Sequence, residues 1–228
     1  MKIKNKRILV HKNDLPDDLS LDYTIAIDTE AMGLQPHRDR LCLVQITDGS
    51  DCIHLIQMTE FAPKSPNLCK VLFDDNYKKI FHFARFDIAI LHRNFASCFL
   101  KNNYFIEKNN KINSKNDRIN NVFCTKIAAR LALTFCRSHS LRDLCYDLLG
   151  VKISKEQQTS DWGKNSLSDK QLEYAAYDVF YLHHLAEKLS EILVREGRME
   201  IAQAAFDFVP YLSDCDLLNL SGEYIFSH

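Results

Sequence analysis

The segment Ile25-Ala26-Ile27-Asp28-Thr29-Glu30 ends an apolar strand on two carboxylates, and no other feature of the 228-residue chain restricts its fold as much. Successive side chains of a strand alternate between faces, so Asp28 and Glu30 leave one side while Ile27 and Thr29 leave the other. Two anions on one small surface repel unless protons or cations neutralise them, and hard oxygen ligands at that spacing suit Mg²⁺ or Mn²⁺. An acid-x-acid triplet alone is a weak signal, because Asp and Glu supply 30 of the residues and such triplets recur by chance. The apolar run before it changes the weight of the pair. Ile25, Ala26 and Ile27 predict a buried strand, where an anionic pair without a task is strongly disfavoured.

The surrounding pattern sets the architecture. KRILV, TIAIDTE, LCLVQIT and CIHLIQ read as short strands forming an antiparallel meander, punctuated by Pro, Gly, Asp and Ser. A short helical stretch follows Pro63 and Pro66, KIFHF is a further strand, and ARFDIAILHRNF, TKIAARLALTF and SLRDLCYDLLG read as helices. Strands first and mixed elements later predict an α/β fold with a mixed central sheet flanked by helices. Ser168 with Gln171 forms a capping box, Asp169 adds first-turn charge, and Gly197 supplies a left-handed stop, which predicts one long helix over 169–196. Its stripe of Leu172, Ala175, Val179, Leu182, Ala186, Leu189 and Leu193 is buried, leaving Tyr174 and Asp178 beside it, one above the other, at a cleft. The Asn- and Lys-rich stretch 98–121 reads as an inserted surface loop, with a substrate lid as the alternative. Residues 207–228 are apolar and aromatic but too irregular for an ordinary core helix, so they are expected to cover a neighbouring surface.

Composition narrows the function classes. With 46% hydrophobic and 26% charged residues, the chain reads as one globular domain over 1–228. It has no apolar run long enough for a membrane span and no signal-peptide pattern at its start, so a cytoplasmic protein without membrane contact is expected. Eight cysteines without a C-x-x-C pair read as reduced packing residues. Net charge is −1, which argues against a broad cationic surface for long duplexes and for a short nucleic-acid substrate, if any. The basic N-terminus and the acidic stretch 199–228 read as solvated ends, with charge pairing within or between subunits as the alternative.

Two further acids complete a constellation. Asp87 lies in the first helical turn after KIFHF, and Asp178 follows Tyr174 by four residues. The order strand Asp-x-Glu, strand-to-helix Asp, helical Tyr-x-x-x-Asp resembles the ribonuclease D branch of the DEDD exonucleases, in the subtype with tyrosine in its last motif. AIDTEAMGLQPHRDRLCLVQI, KIFHFARFDIAIL, VFCTKIAARL and SKEQQTSDWGKNSLSDKQLEYAAYDVFYLHHL look like the nano-RNase C group within it, over residues 7–97 and 121–228. The resemblance implies a ribonuclease H-like (DnaQ-like) exonuclease fold in which Asp28, Glu30, Asp87 and Asp178 hold two divalent cations, Mg²⁺ or Mn²⁺. It further implies that Tyr174 orients or helps deprotonate the attacking water. It also implies 3′-to-5′ hydrolysis of dinucleotides and short oligoribonucleotides to nucleoside 5′-monophosphates, in a homo-oligomer that relatives build as a closed octamer. Two features depart from the pattern: the stretch 98–121 is longer than the family's connection, and the helical C-terminal domains of full-length ribonuclease D are missing. Cys124, where many ribonuclease D relatives carry Asp, reads as packing beside the sheet because no base for a nucleophile is identifiable.

The neighbours of the motifs carry open alternatives. Leu34 matches the wedge that dinucleotide-degrading relatives place between two bases, or else plugs the core, and Gly33 permits the tight turn that presents it. Arg38 and Arg40, near His37, bind phosphate or pair with Asp39. His82 is a sheet-end histidine or a substrate contact, and Arg85 tunes Asp87 or touches substrate. Trp162 packs under its loop or stacks on a base, while Thr29, Gln158 and Ser160 are candidate hydrogen-bond donors to substrate. Two other functions compete with the first reading: trimming of longer RNA or DNA 3′ ends, and a catalytically silent nucleic-acid-binding module.

Overall fold

Six strands make one mixed sheet in the order β1-β4-β3-β2-β5-β6, and its centre is the strand that carries the acid pair. A computed structural model describes residues 6–61, 63–100, 118–136, 138–154 and 156–220, with backbone alone for 96–100. The strands are β1 (Arg7–Lys12), β2 (Thr24–Ala31), β3 (Leu41–Thr47), β4 (Cys52–Gln57), β5 (Lys78–Phe81) and β6 (Val122–Cys124). The helices are α1 (Pro66–Phe73), α2 (Ala84–Leu100), α3 (Thr125–Ala132), α4 (Leu141–Leu149), α5 (Asp169–Phe180), α6 (Leu182–Arg195) and α7 (Met199–Leu217). The expected α/β architecture, a mixed sheet flanked by helices, is the one observed.

β3 is buried at all seven positions because it lies between two strands and under α5, which explains its unbroken apolar run. β2, β3 and β4 form the expected antiparallel meander, but β1 pairs in parallel with β4 and is not part of it. Two chain reversals return β4 to the direction of β2, so the strand laid against its outer side can run parallel to it, which local pattern does not reveal. β6 was not expected; its three residues are too few to show a period, and they pair in parallel with β5.

The capping box and the left-handed Gly197 behave as the sequence predicts, yet the helix between them is two helices. The break falls at Tyr181, whose ring packs against Tyr177 and Phe180, and the buried stripe resumes at once with Leu182, Leu185 and Leu189. The start of the C-terminal stretch also differs from expectation, because helix α7 runs through Leu217. Phe206, Val209, Pro210 and Ser213 step along its buried side, and the missing N–H of Pro210, which hides the helical pattern, removes one backbone hydrogen bond.

Among the described residues, three charges of the two ends are paired within the chain. Lys6 bridges Asp51 at 2.8 Å, and the α7 acids Asp214 and Asp216 bond Arg118 and Arg85. Cys69 is disulfide-bonded, which corrects the expectation of reduced thiols throughout, whereas Cys42, Cys52, Cys124, Cys136, Cys145 and Cys215 are free. Most of the expected insertion lies outside the described residues, as does 221–228; the described parts of 98–121 are the end of α2 and the approach to β6. No helix among the described residues is long and apolar enough to cross a membrane.

Candidate active site

β2 delivers Asp28 and Glu30 to the face covered by α5, and α5 delivers Asp178 to the same point. One oxygen from each of these three carboxylates lies within 4.8 Å of the others. Such a cluster of hard oxygen donors fits a divalent cation. Asp87 is outside that trio. The alternation of β2 separates it, since Thr29 points to the other face and donates from Oγ1 to Asp87 Oδ1 at 2.6 Å. Asp87 sits buried in the first turn of α2, close enough for the charge of Asp28 to act on it. Three acids therefore share one point and the fourth stands beside them, held by Thr29.

Electrostatics records the crowding. Burial raises the Asp28 carboxyl to about 7, against which a Thr29 backbone N–H works. Glu30 is pushed well above its usual range by burial first and then by the charges of Asp28, Asp178 and Asp87. Burial and the charge of Asp28 do the same to Asp87 and Asp178. Tyr174 interacts with Asp178 through its hydroxyl, and burial together with the nearby carboxylates holds the phenol protonated. Anions in this position need a compensating cation.

The acids lie on the wall of a cavity of about 550 Å³, a size suited to a small ligand. Thr29, Gly33, Leu34, His82, Gln158, Trp162 and Tyr174 also line it, so those expected substrate contacts are gathered at one place. Leu34 is 87% exposed and plugs no core. Gly33 is required by a close approach: a Cβ there would fall 2.1 Å from Asp39 Oδ2. Asp39 in turn accepts from Gln35 N and Arg38 Nε, which fixes the turn. Arg38 is thereby committed to Asp39, and Arg40 donates to the Gly163 carbonyl at 3.3 Å.

His82 Nδ1 lies 2.9 Å from Thr125 Oγ1, and burial, aided by the charge of Lys126, lowers the ring to about 3, so it is neutral. Trp162 is buried and tilted against Tyr174, with 6.0 Å between ring centroids. Its indole serves packing and cavity wall together. Cys124 is buried and its thiol is raised by burial, in keeping with packing. Arg85 is the exception among the expected contacts. It is not on the cavity wall, because Nε and Nη2 form a two-pronged bond with Asp216 at 2.6 and 2.5 Å, directing the guanidinium to α7.

Sequence reasoning missed Phe83, Lys126, Ser140, Arg142 and Ser154, all of which line the cavity. Phe83 is in the left-handed region at φ 75°, unusual for a bulky residue, with its exposed ring under the Lys126 ammonium at 4.1 Å. Nothing in the local pattern signals that conformation, although its place between strand and helix next to Asp87 is a fair pointer.

A family model described as 3′-5′ exonuclease matches residues 8–194. Ribonuclease D of Granulibacter bethesdensis is 30% identical over 175 residues, which are 77% of this chain and 39% of that protein, so the chain spans about two fifths of such curated relatives. Among solved structures, Brucella melitensis NrnC is 44% identical with a TM-score of 0.81, covering 97% of this chain and 98% of that one. The same protein bound to pGG superposes with a TM-score of 0.82 at 43% identity, covering 98% and 99%. With bound Mg²⁺ it gives 0.80 at 43%, covering 97% and 98%. Through the acid pair of β2, the tyrosine and acid of α5 and this end-to-end likeness, the chain belongs to the 3′-5′ exonuclease family, among the relatives of ribonuclease D and nano-RNase C.

Proposed function

We propose that this chain is a 3′-5′ exoribonuclease that uses two divalent cations, Mg²⁺ or Mn²⁺, to hydrolyse dinucleotides and short oligoribonucleotides to nucleoside 5′-monophosphates. The observation that carries the reading is the convergence of Asp28, Glu30 and Asp178 on one point of the cavity wall, next to Tyr174. Those three would hold one cation, and Asp28 with Asp87 a second. When bound, such cations supply Lewis acidity that offsets charge on the scissile phosphate and its leaving oxygen. The side chains do the positioning. Tyr174, whose hydroxyl interacts with Asp178 at the cavity wall, would orient the attacking water or help to deprotonate it. Neutral His82 offers a hydrogen bond at the cavity wall without adding charge. Thr29 fixes the Asp87 carboxylate from the opposite face of β2.

Short substrates are favoured by two features: an exposed Leu34 at the cavity wall able to enter between two bases, and a net charge of −1. The pGG held by Brucella melitensis NrnC supports the same class. Gln158 and Trp162 complete the proposed substrate contacts. Exposed apolar residues on α7, among them Ile201 and Tyr211, support assembly into a homo-oligomer, in the limit the octamer suggested by the resemblance.

The test is a ladder of 5′-labelled RNAs from two to about twenty nucleotides, incubated with Mn²⁺ or Mg²⁺ and with a chelator control. The expected result is a rate that falls steeply with length and vanishes with chelator. Uniform shortening of long RNA or DNA at dinucleotide-like rates would replace this reading with end trimming. An Asp178→Ala variant as fast as the parent would mean that the site is wrongly assigned, and a parent without cleavage would leave only a binding module.

A further inference from the structure

Gln45 is completely buried in the middle of β3, between Val44 and Ile46, and neither its Oε1 nor its Nε2 has a hydrogen-bond partner. The other buried glutamines among the described residues are satisfied. Gln57 Nε2 donates to the Lys164 carbonyl at 2.7 Å, and Gln171 Nε2 donates to Ser160 and to the Asp161 carbonyl. An enclosed amide with nothing to bond is a standing destabilisation that a hydrocarbon side chain of the same size would remove.

The register says where the amide stands. Gln45 pairs directly with Asp28 on β2 and with Leu55 on β4. Residues directly opposite in an antiparallel pair project from the same face with Cβ atoms about 5 Å apart, within the span of a glutamine side chain. That face is the one covered by α5, the helix of Tyr174 and Asp178. Gln45 is not part of the cavity wall, so it stands behind Asp28 as seen from the cavity.

We infer that Gln45 is a positioning residue for Asp28: when a divalent cation occupies the acid cluster, its amide donates to the Asp28 carboxylate and holds the oxygen that meets Glu30 and Asp178 in place. The amide touches neither substrate nor cation. It adds to the Thr29 backbone N–H a second hydrogen bond that fixes the orientation of this acid, the role that outer hydrogen bonds play for metal-holding side chains. The assignment rests on the functional reading above and adds to it a residue outside the four acids and the tyrosine.

Gln45→Met preserves length and approximate volume but removes the amide. Three measurements are made on parent and variant: melting temperature in chelator, Mn²⁺ affinity by titration calorimetry, and kcat and KM on a dinucleotide. The expected result is a melting temperature in chelator equal to or above that of the parent, Mn²⁺ affinity about tenfold weaker, and kcat lowered by about the same factor with KM unchanged. Mn²⁺ affinity and kcat within twofold of the parent would overturn the inference. So would a lower melting temperature in chelator, which marks a purely structural amide; Gln45→Leu is read the same way, and failure of both variants to fold overturns it too. A parent that binds no Mn²⁺ and cleaves no dinucleotide sinks the functional reading, and this inference with it, in an arm separate from the variants.

Discussion

Two groups of acids in this molecule are treated in opposite ways. At the seam between α2 and α7, Asp216 takes a two-pronged bond from Arg85, while Asp214 meets Arg118 at 2.9 Å and His92 at 3.5 Å. The Asp214 carboxyl is lowered, because its bonds to His92 and Arg118 outweigh the opposing effect of burial. On β2, α2 and α5, carboxylates of the same chemistry gather with no ion pair to a cationic side chain among the described residues, and all four candidate acids are raised. Folding alone accounts for the seam. It does not account for the cluster, and a local arrangement that opposes folding marks where the chain serves another end.

The sharpest break of this contrast is substitution at each pole. Asp178→Asn removes one carboxylate of the cluster and is expected to lower kcat on a dinucleotide by about a thousandfold, the several kcal/mol that cation-held charge stabilisation supplies. The same change should raise the melting temperature in chelator; a fall would place Asp178 with the seam acids. Next in size is the cation itself. Mn²⁺ at a hundredfold excess over its dissociation constant should stabilise the parent by about 2.7 kcal/mol, roughly 5–10 °C in melting temperature. Differential scanning fluorimetry should show that shift abolished in Asp178→Asn and retained in Asp216→Asn.

Asp216→Asn should act only on stability, costing about 2 kcal/mol by leaving the half-buried Arg85 without its charged partner, with Mn²⁺ affinity unchanged. Urea unfolding measures it. The smallest effect is a slope. The folded protein holds a proton on Asp28 up to about pH 7, whereas an ordinary carboxyl near 3.8 releases it, so without cations this group's contribution to stability is greatest below about pH 4 and falls as pH climbs to 7. Asp214 has the reverse sign: its contribution is present above the usual carboxyl range and disappears as pH falls through its lowered value. Urea midpoints in chelator between pH 4 and 7 should therefore decline more gently in Asp28→Asn than in the parent, by at most about 1.4 kcal/mol per pH unit for one proton.

The acids of the cluster were legible because each sits at a junction that periodicity exposes: a strand end, a strand-to-helix turn, and a helix with a complete capping box. The meander was legible for the same reason. What escaped depends on distant partners. The pairing of Arg85 with Asp216 spans 131 positions, and nothing within a few residues of Arg85 distinguishes that role from contact with substrate. The helical nature of α7 was masked by Pro210, a residue that local rules exclude from helix interiors. Phe83 takes a backbone conformation that its sequence disfavours and that only the packing around it can impose. Gln45 looked like one more member of an apolar strand until its register opposite Asp28 was known.

The outermost position of β1 has a practical bearing. This strand closes one side of the sheet through a single ladder with β4 and turns Leu9 and Val10 to water, with Arg7 and Lys12 at its two ends. Charged residues at such a border discourage other chains from adding themselves to it. A shortened protein that began after Lys12 would make β4 the new border and expose the backbone of a segment containing Ile53, Leu55 and Ile56, a far stickier template for aggregation. Affinity tags and trimming for crystallisation are best kept clear of that strand.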